Sequence, residues 1–167
     1  METRELELKD IIGNIPHKLF CLCRGVEFCA NEILNAHDNT EVIFSCNFEP
    51  VRIHEITPIL RPLSDLYKTI THNGKEIIPI VELAKIYSPA GNWYFHDLFK
   101  EALANDYRFG YSSVNRCFSS KYKNYCNTVY NQYQLFDYLH ELKIDYRGLI
   151  DAGLAIDCNT LENNPYK

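Results

Sequence analysis

Between residues 107 and 138 the chain places ten aromatic rings: Tyr107, Phe109, Tyr111, Phe118, Tyr122, Tyr125, Tyr130, Tyr133, Phe136 and Tyr138. Arg108, Arg116, Lys121 and Lys123 are interleaved with them, against the single acid Asp137. Ring faces stack on flat ligands, at roughly 1–3 kcal/mol per base, and a guanidinium grips phosphate or carboxylate through paired N–H donors. Here alone the local balance turns positive, in a chain of formal charge −5. A small anionic ligand is therefore expected against residues 107–123. Arg108 and Arg116 would hold its oxygens, while Tyr107, Tyr111 and Tyr122 offer ring faces. Tyr107, Phe109 and Tyr111 alternate, so in a strand Arg108 points to the opposite side, and the ligand is expected on the outer face. Tyrosine is also an ordinary strand residue with one wet end, and Tyr with Arg suits a protein interface.

A second set is acidic. Glu141, Asp145, Asp151 and Asp157, with His140 beside them, could act as acid and base or hold Mg²⁺ for phosphodiester cleavage. The plainer reading is that they are solvated caps and helix-face charges near Lys143 and Arg147. Cys21, Cys23, Cys29 and Cys46 could in principle ligate zinc, but no C-x₂-C pair occurs, and structural zinc favours such knuckles. The expectation is no metal and no cofactor. There is no G-x-G-x-x-G, no G-x₄-G-K-[ST], no H-E-x-x-H and no G-x-S-x-G. No catalytic residue is assigned.

Seven cysteines exclude a fully paired disulfide framework. The start, Met1 to Glu5, shows neither the basic nor the apolar region of a secretory signal, and no apolar run is long enough to span a bilayer. The expectation is a cytoplasmic protein with reduced, buried thiols, in which Cys21 and Cys23 share one strand face. A mildly acidic chain with one basic stretch is not a general nucleic-acid binder. Self-association stays open.

The elements that must position these residues suggest one domain over 1–167, with a frayed tail at about 162–167. Lys18–Cys23, Val26–Leu34, Glu41–Phe48 and Val51–Ile56 look extended and separated by turn residues, an N-terminal antiparallel meander. Ser64 could cap a helix over 64–70. Asn73-Gly74 marks a tight hairpin turn, and Pro79 suits the first position of a helix over 79–87. Phe95, Leu98, Phe99, Ala102 and Leu103 fall at helical spacing, predicting a helix over 95–104. Residues 107–123 read as a later hairpin. Asn131 with Gln134 resembles a capping box opening a helix over 132–142, and Gly148 and Gly153 bracket a last short helix. The fold class expected is α+β: an antiparallel sheet packed by several short amphipathic helices.

Two stretches carry a family resemblance. Thr57-Pro58-Ile59-Leu60-Arg61-Pro62-Leu63-Ser64-Asp65-Leu66 is similar to a KPILRPLSDL signature. Tyr138-Leu139-His140-Glu141-Leu142, followed by Asp145-Tyr146-Arg147-Gly148-Leu149-Ile150 and Gly153-Leu154-Ala155-Ile156-Asp157, resembles a YLxELxxDxxGLIxxGLAID signature. Both signatures belong to short proteins encoded by phages and prophages of gut anaerobes. The resemblance implies a mobile-element origin and action inside an infected cell. The expected function is a non-enzymatic accessory protein that binds a host component. It would work in counter-defence, by sequestering a nucleotide-type signal or masking a host protein. The alternative is a small metal-dependent phosphodiesterase using the acidic set.

Overall fold

The computed structural model describes residues 4–30, 33–37, 41–46 and 49–167, and of 33–37, 41–46 and 49–50 the backbone alone. The fold is α+β. The chain forms two compact units, residues 1–62 with 147–165, and residues 63–146 with 166–167. No helix among the described residues is long and apolar enough to cross a membrane.

In the first unit a short helix, α1 (Leu8–Ile11), leads into the hairpin of β1 (Leu19–Cys23) and β2 (Val26–Ala30). Its turn residues, Arg24 and Gly25, both have positive φ, 50° and 82°, the backbone twist that two-residue hairpins require. Arg24 bonds Glu55 and holds that carboxyl below its ordinary range. β3 (Ile33–His37), β4 (Glu41–Cys46) and β5 (Glu49–Arg52) form an antiparallel sheet of three. The parts of the expected strands at residues 31–32 and 47–48, and the turn expected over 38–40, lie outside the described residues. β6 (Ile56–Pro62) pairs antiparallel with β1, Cys21 opposite Pro58. Cys21 and Cys23 share the inward face of β1 and are buried with Leu19, Phe28, Ile53 and Leu60. Asp10, 4% exposed, accepts from Arg4 at 2.7 Å and from the Glu7 amide at 3.1 Å, with Arg147 at 3.8 Å.

In the second unit the expected helix over 64–70 is instead a 3₁₀ turn, Leu63–Tyr67. Ser64 lies inside that turn, where its hydroxyl accepts from the Lys68 amine at 3.2 Å, and Ile70 already begins a strand. β7 (Ile70–His72) and β8 (Lys75–Ile77) close across Asn73-Gly74, at φ 50° and 73°. Pro79 opens α2 (Pro79–Tyr87) as read, burying Ile80, Leu83 and Ala84. The helix expected over 95–104 is not formed. β9 (Tyr94–His96) and β10 (Glu101–Ala104) stand there, joined by a turn in which Lys100 has φ 51°. Phe95 and Ala102 face each other across the hairpin. Two residues seven apart share a face in either geometry, so the spacing fitted both. Leu98 and Phe99, which a helix would have buried, are 86% and 52% exposed.

β11 (Tyr107–Ser112), β12 (Cys117–Tyr122) and β13 (Tyr125–Asn127) complete an antiparallel sheet in the order β13-β12-β11-β10-β9. α3 (Gln132–Glu141) buries Leu135 and Leu139 against it. The capping box read at Asn131 does not form: the Asn131 amide donates to the Ile86 carbonyl at 3.3 Å, with no cap bond. Gln132 has the structural role there. Its side chain accepts from the Phe118 N–H at 3.0 Å and donates to the Phe118 carbonyl at 2.7 Å. β13 pairs only with Ser120–Tyr122, so this amide takes a strand partner's place at Phe118 and satisfies both backbone groups. After α3 comes β14 (Ile144–Asp145). Back in the first unit, Gly148 to Gly153 make turns rather than the expected helix, closed by Ala152 N–H to Gly148 O at 3.1 Å. β15 (Ile156–Asp157) follows, parallel to β6.

Candidate functional site

The sheet of the second unit sorts the aromatic–basic stretch by face. Phe109 and Phe118 point inward and are 0% and 2% exposed. Tyr111 packs between Phe118 (5.1 Å between ring centroids) and Phe136 (6.4 Å). Its hydroxyl is buried and finds no hydrogen-bond partner among the described residues. Tyr107 and Tyr122 are cross-strand partners with rings 4.6 Å apart. Arg108 does point to the opposite face, as alternation requires. There it meets Glu101 at 2.9 Å and lies 4.1 Å from the centre of the Phe99 ring. Gly110 makes room for this pair: a Cβ there would stand 3.1 Å from the Glu101 Cγ. Arg116 sits exposed in the β11–β12 turn at φ 47°.

Of the five expected ligand residues the structure thus brings Tyr107 and Tyr122 together. Arg108 is on the other face and already neutralised, and Tyr111 belongs largely to the core. Register decides this outcome. Glu101 reaches Arg108 only because β10 pairs with β11, a partnership that the helical reading of 95–104 concealed.

Burial pushes the Tyr111 phenol up to about 12, with the Arg116 charge opposing it. Burial also raises Tyr138 to about 12, helped by Glu82 and Glu141. Unfolded, both ionise near 10. The unfolded chain therefore gives up these protons first, and the stability present below pH 10 is lost as pH rises towards about 12. Urea midpoints are expected to fall over that window, and to fall less in Tyr111→Phe with Tyr138→Phe. An equal fall in the double variant would show that other groups control alkaline unfolding.

Tyr107 has a second set of neighbours. With Tyr87, Ser88, Ala90, Gly91, Trp93, Ala104 and Asn105 it lines a cleft of about 410 Å³, within the range of small-molecule sites. The end of α2, the loop after it and the β10–β11 turn build its walls. Trp93, 8% exposed, is fixed from several sides. Its indole N–H donates to the Ser88 carbonyl at 2.8 Å. Its ring meets Tyr87 (6.4 Å) and Phe109 (6.2 Å) edge-on. Gly91 lies against the indole so closely that a Cβ would fall 2.4 Å from Nε1. Asn105 holds a left-handed backbone, φ 53°, at the tip of the β10–β11 hairpin. None of the lining residues carries a charge. Of these lining residues only Tyr107 belongs to the aromatic–basic stretch. Ser88 to Gly91 read as a helix stop, and nothing local ties that loop to Asn105.

The acidic set is dispersed: Asp145 is buried, Asp151 is exposed in the turn after Gly148, and the others have structural partners. Glu141 meets the His72 ring at 2.9 Å and His140 meets the Tyr146 hydroxyl at 2.8 Å. Lys143, 3% exposed, donates to the His140 and Glu141 carbonyls at 3.3 and 2.9 Å, closing the end of α3. Asp157, in the first unit, accepts from the Asn159 amide at 2.8 Å. Among the described residues no group of three or more His, Cys, Asp or Glu is placed to hold a metal ion. Protein-family models, curated proteins and solved structures offer no match to this chain.

Proposed function

We propose that this chain is a non-enzymatic accessory protein of a phage or prophage that captures a small nucleotide-type ligand in the cleft of its second unit. The observation that carries the reading is an aromatic cleft without a charged lining: Tyr87, Trp93 and Tyr107 supply ring surface, Ser88 and Asn105 polar atoms. Such a lining binds flat molecules by stacking and offers no carboxylate or imidazole for bond cleavage. The signatures at 57–66 and 138–157 support the mobile-element origin, and a host cell's cytoplasm is the setting they imply. Sequestration of a host signal needs binding alone.

The test is incubation with a nucleotide panel and Mg²⁺ or Mn²⁺. Intact nucleotides with a shift in Trp93 emission support capture; turnover supports the phosphodiesterase alternative. Tyr107→Ala should weaken the ligand by roughly 1–3 kcal/mol, the worth of one stacking ring. Masking of a host protein is a second reading, favoured by the exposure of Tyr125, Tyr130 and Tyr133 at 74%, 91% and 83%. Capture of one stoichiometric host protein, lost when these tyrosines become Ser, would favour it.

A further inference from the structure

We infer that the cleft recognises the nucleobase and ribose of its ligand and not the phosphate, an inference that rests on the capture reading. A phosphate brought among Ala90, Gly91, Trp93 and Ala104 would give up its hydration with no cation to replace it, since the cleft is lined without charge. One basic group beside this region, Lys123, is not among the lining residues. Lys123 lies over the Tyr122 ring, 5.2 Å from its centre, and Tyr122 in turn packs on Tyr107. A charged tail leaving the cleft past Tyr107 therefore meets solvent, the exposed Asp106 and the exposed Lys123 amine, whose pull is weak and screened by salt.

What the lining does provide suits a base. The aromatic residues of its lining suit a flat ligand, and an asparagine amide carries a donor beside an acceptor, the pattern that a base edge complements. The volume admits a base with its sugar. Asn105 stands at the hairpin tip with φ 53°, a conformation asparagine tolerates better than most residues. The turn can thus hold a polar amide at the cleft without needing glycine.

Trp93 is the chain's single tryptophan, so tryptophan emission reads this site alone. The probes are adenosine, guanosine, cytidine and uridine, each titrated beside its 5′-monophosphate at low and high salt. At least one nucleoside is expected to shift the emission, with its monophosphate binding within about threefold and little salt dependence. Asn105→Gly keeps the left-handed backbone while removing the amide, and should weaken that nucleoside about tenfold. Lys123→Gly, also at a left-handed position (φ 53°), should leave it unchanged. A monophosphate that binds at least tenfold tighter than its nucleoside, and loses that margin in salt, overturns the inference while leaving capture intact. If none of these probes moves the emission of the folded protein, the capture reading falls and the inference falls with it.

Discussion

Replacing Phe109 by Ala is expected to cost the second unit about 3–5 kcal/mol, the loss typical of a large buried ring. Phe109 is wholly buried at the centre of a ring cluster. It stacks on Tyr87 at 5.3 Å and on Phe118 at 5.6 Å, and meets Trp93 edge-on at 6.2 Å. Each aromatic pair adds about 0.5–1.5 kcal/mol beyond the area it buries. The void would open between α2 and the sheet, where the stacked partners cannot collapse without losing one another. A domain's whole stability is only about 5–15 kcal/mol, so the variant should unfold at far lower urea. Circular dichroism and Trp93 emission, followed together, measure this. A loss below about 1.5 kcal/mol, the scale of a conservative core swap, would show that the cluster repacks and that Phe109 is not its centre.

Gly91→Ala is the second large effect, and it acts through collision rather than backbone strain. The new methyl would fall 2.4 Å from Trp93 Nε1, 2.8 Å from Cε2 and 2.9 Å from Cδ1. The indole cannot yield easily, being held by the Ser88 carbonyl, Tyr87 and Phe109. Either the ring swings out and gives up its hydrogen bond, or the loop over 88–93 moves. Overpacking of this kind costs about 1–3 kcal/mol. Both routes remove a wall of the cleft, so Trp93 emission should move to longer wavelength and its response to ligand should vanish. Unchanged emission with unchanged thermal stability would mean that the loop accommodates a methyl and that the close fit is incidental.

Local signals were the legible ones. Asn73-Gly74 at a hairpin turn, Pro79 at the start of α2 and the leucine spacing of α3 each depend on residues within one or two turns of each other. The burial of Cys21 and Cys23 on one face of β1 follows from period-two alternation alone. So does the opposition of Arg108 to Tyr107 and Phe109.

The misreadings share a cause. Over 95–104 an inward pair seven residues apart fits a helix and a hairpin alike, and β11 settles it by offering Ala102 a partner in Phe109. Asn131 and Gln134 suggested a capping box, yet the side chain that matters is Gln132, whose partner Phe118 lies on another strand. Ser64 has cap chemistry but sits inside a 3₁₀ turn.

The sequence by itself determined the fold class, the turn at Asn73-Gly74, helices α2 and α3, and a strand that puts Tyr107 and Arg108 on opposite faces. These follow from short-range sterics and periodicity, which a linear string records. Only the tertiary structure decided that Glu101 neutralises Arg108, that Tyr111 is claimed by the core, and that Tyr107 joins Trp93 and Asn105 around a cleft. Those outcomes depend on strand register and on a loop folding back against a hairpin tip. Their energies come from pairs distant in sequence, so no local pattern along the chain encodes them.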